Sequence, residues 1–328
     1  MKRLLSVVLV VVVAATGFAA GSAQRATRIG ISKIVAHPAL DAVEQGIQDE
    51  LAELGYGDIV YDLQNAAGDL TTASQIAAKF RSDRVAVAVG IATPTSQALV
   101  ASIQTIPVVF TAVTDPVNAG LVPGLSGGGG NVTGYSDLTP VREQIELLAQ
   151  FGNPRAIGHV YSAGEANALV LAGMAREAAR DLGIEFVEAT VTNSAEVRQA
   201  AQSIVNRVDV FYVSTDNTVV SALSALTGVA AAAGIPVVSA DPSSAEEQDV
   251  LAAYGFDYYT MGRATGRLIA RILEGEDPNT IPVHYLTDAS DLLLHVNVDV
   301  ANRLGLTLPQ EVLDAADLIV ENGELRRR

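Results

Sequence analysis

One ordered set of elements occurs twice in the chain. In the first copy an apolar run at 85–91 leads into Thr93-Pro94-Thr95, a helix-like stretch, Ile106-Pro107-Val108-Val109 and Asp115-Pro116. In the second, an apolar run at 208–213 leads into Thr215-Asp216-Asn217-Thr218, a helix-like stretch, Ile235-Pro236-Val237-Val238 and Asp241-Pro242. Strand, polar turn, helix and strand repeated in matching order mark two units built on one plan. Residues 85–91 read Val-Ala-Val-Ala-Val-Gly-Ile, without polar alternation. A strand of that kind is buried on both faces and belongs in a parallel sheet covered by helices.

The flanking sequence has the same character. Strands are expected at 28–34 and 59–64, and helices at 38–54 and 70–80. The first helix repeats Leu40, Val43, Ile47, Leu51 and Leu54 at helical spacing and stops at Gly55. After a glycine-rich loop at 126–134, strands are expected at 156–161, 185–191 and 235–239. Helices are expected at 166–182, 197–205 and 219–233. The alternation predicts an α/β protein of two Rossmann-like lobes with parallel sheets. Ligands of such sheets sit beyond the carboxyl ends of the strands, where turns feed helix N-termini. Here those turns, at 35–38, 92–97, 111–116, 162–167, 214–218 and 240–244, are polar while the preceding strands are apolar.

The ends and the charge narrow the setting. Met1-Lys2-Arg3, an apolar run to Ala15 and the small residues Gly21-Ser22-Ala23 have the form of a secretory signal peptide over 1–23. The apolar run is short for a bilayer span, so cleavage after Ala23 is expected and no direct membrane anchoring. The chain has no cysteine, which excludes a lipoprotein box and any disulfide. Removing Lys2 and Arg3 from 21 basic residues leaves 19 against 37 acidic ones, a net charge of −18. That balance argues against nucleic acid as a partner, since such affinity comes largely from Lys and Arg on phosphates. The arginines at 326–328 are expected to be a solvated tail.

Particular blocks then stand out: His37-Pro38-Ala39-Leu40-Asp41, Gln64-Asn65-Ala66, Ala92-Thr93-Pro94 and Val109-Phe110-Thr111-Ala112-Val113-Thr114-Asp115-Pro116. They continue with Gly130-Asn131-Val132-Thr133-Gly134, Ser136-Asp137-Leu138-Thr139-Pro140, Gly164-Glu165-Ala166-Asn167, Thr215-Asp216-Asn217-Thr218-Val219 and Gly255-Phe256-Asp257-Tyr258-Tyr259. In these blocks the chain resembles the substrate-binding proteins of bacterial ABC importers with the type I periplasmic fold, in the branch associated with tryptophan, tyrosine or phenylalanine uptake. The resemblance implies a periplasmic protein that captures a small molecule between its lobes. It would deliver that molecule to an ABC permease and, through it, to a cytoplasmic ATPase. No cofactor is implied. It also implies three crossings between lobes, mapped to Gly134-Tyr135, Gly255-Phe256 and His284-Tyr285. The N-terminal lobe would then be 28–134 plus 257–283, and the C-terminal lobe 135–256 plus 284–328.

An amino-acid ligand presents a carboxylate, an ammonium and a side chain. A carboxylate suits the unpartnered N–H groups of a helix N-terminus and nearby hydroxyls. Thr93, Thr95 and Ser96, around Pro94, offer these, although threonines there also serve as ordinary N-caps. The ammonium needs a buried carboxylate. Asp216 and Asp241 occupy equivalent turns, with Asp115, Asp137, Glu165 and Asp257 as further candidates. Each also reads as a cap or turn residue. Thr114, Thr215, Asn167, Asn217 and His37 could add hydrogen bonds. Phe110, Tyr135, Tyr161, Tyr254, Phe256 and Tyr258, at strand ends or crossings, could wall the side chain, against the commoner reading of core aromatics.

Enzyme chemistry finds little support in the sequence. There is no thiol, no Gly-x-Ser-x-Gly elbow and no Gly-Lys-Ser/Thr after Gly127–Gly130. The four histidines lack metal-ligand spacing. A regulator sharing the two-lobed core would need a helix-turn-helix, and a sensory ectodomain would need a signalling domain.

Overall fold

The computed structural model describes residues 26–246, 248–286 and 291–328. The signal peptide expected at 1–23 lies outside them. Among the described residues no helix is long and apolar enough to cross a membrane.

The first half begins with β1 (Arg28–Lys33), α1 (Pro38–Glu53), β2 (Val60–Asn65), α2 (Leu70–Asp83), β3 (Val87–Ile91), α3 (Thr93–Ser102), β4 (Val108–Val113) and β5 (Val132–Ser136). The second contains α4 (Val141–Ala149), β6 (Ala156–Ser162), α5 (Ala166–Asp181), β7 (Glu185–Val191), α6 (Val197–Ile204), β8 (Val210–Val213), α7 (Asn217–Val220), α8 (Leu223–Ala233), β9 (Val237–Ser239), α9 (Pro242–Ala245) and β10 (Ala252–Phe256). The chain closes with α10 (Tyr258–Leu273), β11 (His284–Tyr285), β12 (Leu292–Asn297), α11 (Val298–Leu304), α12 (Gln310–Ala315), β13 (Leu318–Glu321) and β14 (Glu324–Arg327).

These strands form two sheets. The first runs β11-β5-β4-β3-β1-β2 and is parallel at every pairing. All residues of β3 and β4 are buried, as their unbroken apolar runs require. The second sheet runs β14-β13-β12-β10-β9-β8-β6-β7. It is parallel except where β12 meets β10 and β14 meets β13. Parallel sheets throughout were expected; the exceptions come from strands added after the repeated plan ends. The arginines read as a solvated tail are partly strand, because Arg326 and Arg327 pair with Ile319 and Leu318 while their side chains stay exposed. The single helix expected at 219–233 is broken into α7 and α8.

The crossings fall later than the sequence placed two of them. Tyr135 and Ser136 pair with His284 and Tyr285 inside the first sheet, so residues 135–136 and 284–285 stand there rather than in the second. The strand is held by its ladder to β4, and a glycine alone does not end it. The chain leaves the first sheet after Ser136, returns at Asp257 and leaves again after Tyr285. Phe256 belongs to the second sheet yet buries its ring in the first lobe's core.

Candidate ligand-binding cleft

The carboxyl ends of both sheets face each other across a narrow, largely buried cavity between the lobes. From the first lobe it is lined by His37, Ala39 and Leu40 at the start of α1, by Ala112 near the end of β4 and Thr114 just after it, and by Tyr258 at the start of α10. From the second it is lined by Asn167, Thr215, Asp216, Asn217, Val220 and Asp241. Asp137 joins them from the first crossing.

Two features make the cavity complementary to a zwitterion. At one side stands the N-terminus of α1. His37 occupies its N-cap position in extended backbone and makes no capping hydrogen bond. The N–H groups of Ala39 and Leu40 lie in the first turn, where no intrahelical carbonyl can take them. They carry the positive end of the dipole of a 16-residue helix. Opposite charge comes from Asp137 and Asp241, which are 3% and 1% exposed. Asp137 accepts hydrogen bonds from Tyr258 Oη at 2.9 Å and Thr114 Oγ1 at 3.3 Å. Burial pushes its carboxyl up to about 6, against those two bonds, and the Asp241 charge adds to the rise.

Several buried polar atoms on the wall have no protein partner: both ring nitrogens of His37, Asn167 Oδ1 and Thr215 Oγ1. Orphaned buried polar atoms are uncommon in a folded protein, and here they converge on one space. Burial lowers the His37 pKa, which favours the neutral ring. Asn217 lies close to that ring without meeting hydrogen-bond geometry.

The remaining candidates divide by what already occupies them. Asp216 caps α7 through Val219 N at 2.9 Å and accepts from Ser162 N at 2.5 Å. Burial first, and the Glu165 charge second, push it up to about 8. Asp241 caps α9 through Ser243 N and Ser244 N and also accepts from Ser244 Oγ. Both acids are therefore caps that also present an edge to the cavity. Glu165 binds Thr218 through N and Oγ1 at 3.0 and 2.6 Å and Asn217 Nδ2 at 2.5 Å, which fixes the turn before α7.

Other candidates are placed elsewhere. Thr95 and Ser96 turn their hydroxyls back to Ile91, Ala92 and Gly90 carbonyls and line no part of the cavity. Thr93 is buried with its hydroxyl unpartnered, also off the wall. The helix N-terminus that lines the cavity is that of α1, not that of α3, where the sequence placed a carboxylate seat. Asp115 closes its own turn through Val117 N and Asn118 N, and Asp257 caps α10 through Tyr259 N and Thr260 N. Of the six aromatics, only Tyr258 lines the cavity. Phe110 and Phe256 are core, Tyr135 stacks on His284, and Tyr161 stacks on His159. Sequence reasoning missed Ala39, Leu40, Ala112 and Val220. Apolar residues carry no signal of this kind, although the uncapped start of α1 after His37-Pro38 did.

A second space between the lobes, about 540 Å³, adjoins the first through Asn217. Ile34, Val35, Leu70 and Pro94 give it an apolar side. Ser162, Thr192, Asn193 and Ser194 give it a polar one.

Two α/β lobes, three chain crossings and a polar cavity sealed between them define a cleft-closing binding protein. The profile of the family described as "ABC transporter substrate binding protein" matches residues 28–320. The chain belongs to that family, and its fold is the type I periplasmic binding fold. It is 38% identical over 272 residues to the tyrosine-binding protein of Clostridioides difficile strain R20291, covering 81% of this chain and 78% of the relative. Among solved structures it is similar to the ABC domain in complex with L-Trp from Streptococcus pneumonia, at TM-score 0.86 and 31% identity, covering 90% and 99% of the two chains. It is also similar to the ligand-free, open structure of a substrate-binding protein with adhesive properties from Clostridium difficile, at TM-score 0.66 and 36% identity, with the same coverage. The open structure superposes less well on this chain than the L-Trp complex does, although its sequence is nearer.

Proposed function

We propose that the protein captures an aromatic α-amino acid outside the cytoplasm and presents it to an ABC permease. The observation that carries this reading is the pairing of the uncapped α1 N-terminus with Asp137 and Asp241 across one sealed cavity. A carboxylate and an ammonium on one carbon match that pair, and a neutral sugar does not. The adjoining space with one apolar and one polar side suits a ring. The tyrosine-binding relative and the L-Trp complex support the aromatic class. The signal-like segment at 1–23 supports export to the periplasm.

The chain contains no tryptophan, so indole emission in a titration comes only from ligand. Protein drawn from a periplasmic extract, with its mature chain starting near Gln24, is to be stripped of endogenous ligand and titrated with tryptophan. The emission maximum should move as the ring leaves water. Tyrosine and phenylalanine should compete, and leucine and ribose should not. Failure of all three aromatic amino acids to bind would remove the aromatic assignment.

A further inference from the structure

The hydrogen bond from Tyr258 to Asp137 joins two places that are distant in sequence. Asp137 lies on the first crossing, directly after β5, and Tyr258 opens α10 directly after the second. Both line the cavity and both are almost fully buried. Tyr258 Oη donates to Asp137 Oδ2, Thr114 Oγ1 donates to Oδ1, and Ser136 Oγ in turn donates to the Thr114 carbonyl at 2.9 Å. Each carboxylate oxygen is thus aimed by one hydroxyl. Among the described residues no Lys or Arg lines the cavity and none forms an ion pair with Asp137.

We propose that Tyr258 is a positioning residue: its hydroxyl orients Asp137 and holds it ready, as a carboxylate, to receive the ammonium of the ligand. This rests on the amino-acid reading above and adds to it the group that sets the state of the anionic partner. A hydrogen bond to the charged form favours that form, so the Tyr258 hydroxyl opposes the burial that protonates Asp137. The groups facing this corner are Asp241 from the start of α9, His37 from α1, and Thr215 and Asp216 from the β8–α7 turn. Asp241 works in the opposite sense to Tyr258, raising the Asp137 pKa. Burial lowers the His37 pKa, which disfavours a positive charge on its ring.

The consequence is a pH signature that a merely structural tyrosine would not give. Removing the hydroxyl should raise the Asp137 pKa above about 6 and leave less carboxylate near neutrality. In Tyr258→Phe, tryptophan affinity should fall about tenfold at pH 6 and by less than about threefold at pH 8.5. In an Asp137→Asn background the same substitution should cost almost nothing, because the group it acts through is gone. A carboxyl-carbon NMR titration of the ligand-free protein gives a readout independent of any ligand, and the Asp137 midpoint should move up in Tyr258→Phe. An unmoved midpoint, an equal loss of affinity at both pH values, or an undiminished effect in the Asp137→Asn background would overturn the proposal. A Tyr258→Phe protein that does not fold would overturn it too, assigning the hydroxyl to stability alone. If the parent protein binds none of the aromatic amino acids, that reading falls by itself, and the ligand-free titration still decides the role of Tyr258.

Discussion

Ala112 holds a left-handed backbone, with φ of 54°, at the point where the ladder between β4 and β5 shifts register. An alanine there costs roughly 1–2 kcal/mol, and such strain collects at ligand sites. Glycine would relieve it while losing one buried methyl and some backbone entropy, terms of similar size. Ala112→Gly is therefore expected to change the urea midpoint little, within about 0.5 kcal/mol, whereas Ala88→Gly in the middle of β3 should cost about 1 kcal/mol or more. At this scale the sequence is ambiguous for a physical reason. Asp115, Asp137, Asp216, Asp241 and Asp257 are one residue type at similar turns. A capping aspartate and a ligand-facing one use the same oxygens, so only position in space separates Asp257 from Asp137. Asp216 and Asp241 do both jobs, as caps whose outer edge reaches the cavity. Of the six aromatic residues only Tyr258 lines the cavity, since strand ends near a crossing are also where cores begin.

Between elements, α1 packs closely against α10. A Cβ on Gly262 would stand 2.3 Å from the Val43 carbonyl oxygen, and one on Gly46 would stand 2.4 Å from that of Tyr259. The two helix backbones approach too closely there for any side chain. Gly262→Ala should destabilise the protein by about 1–3 kcal/mol in urea unfolding. Gly173→Ala on α5, where a Cβ meets nothing within 4 Å, should be neutral or stabilising by up to about 1 kcal/mol. If Gly262→Ala were as stable as the parent, the helices would not be packed as described. Most elements were legible because burial on both faces writes an unbroken apolar run, as in β3 and β4. The strands β12 to β14 were not. They form a mixed edge, antiparallel where β12 meets β10 and where β14 meets β13, and β14 is exposed along its whole length, so neither periodicity nor apolarity marked it.

For the whole molecule, the duplicated plan announced two lobes, and their facing polar turns announced a cleft. How far the lobes stand apart is a property of the crossings and was not written in any run of residues. This chain superposes better on a complex with L-Trp than on a similar ligand-free protein that is open. A ligand that touches both lobes stabilises the closed form by whatever it adds there. X-ray scattering should accordingly give a smaller radius of gyration at saturating tryptophan than for protein stripped of ligand. Identical profiles would mean that the lobes do not move on binding. The sealing of the cavity also bears on how long a ligand stays. Almost every lining residue is buried, so a captured molecule leaves chiefly when the lobes part. Escape then becomes a two-stage event, in which the lobes part first and the molecule diffuses away afterwards. The rate of parting is a ceiling on dissociation for every ligand, tight or weak. An acceptor can hasten unloading only by prising the lobes open, and competition for the molecule itself would gain it nothing.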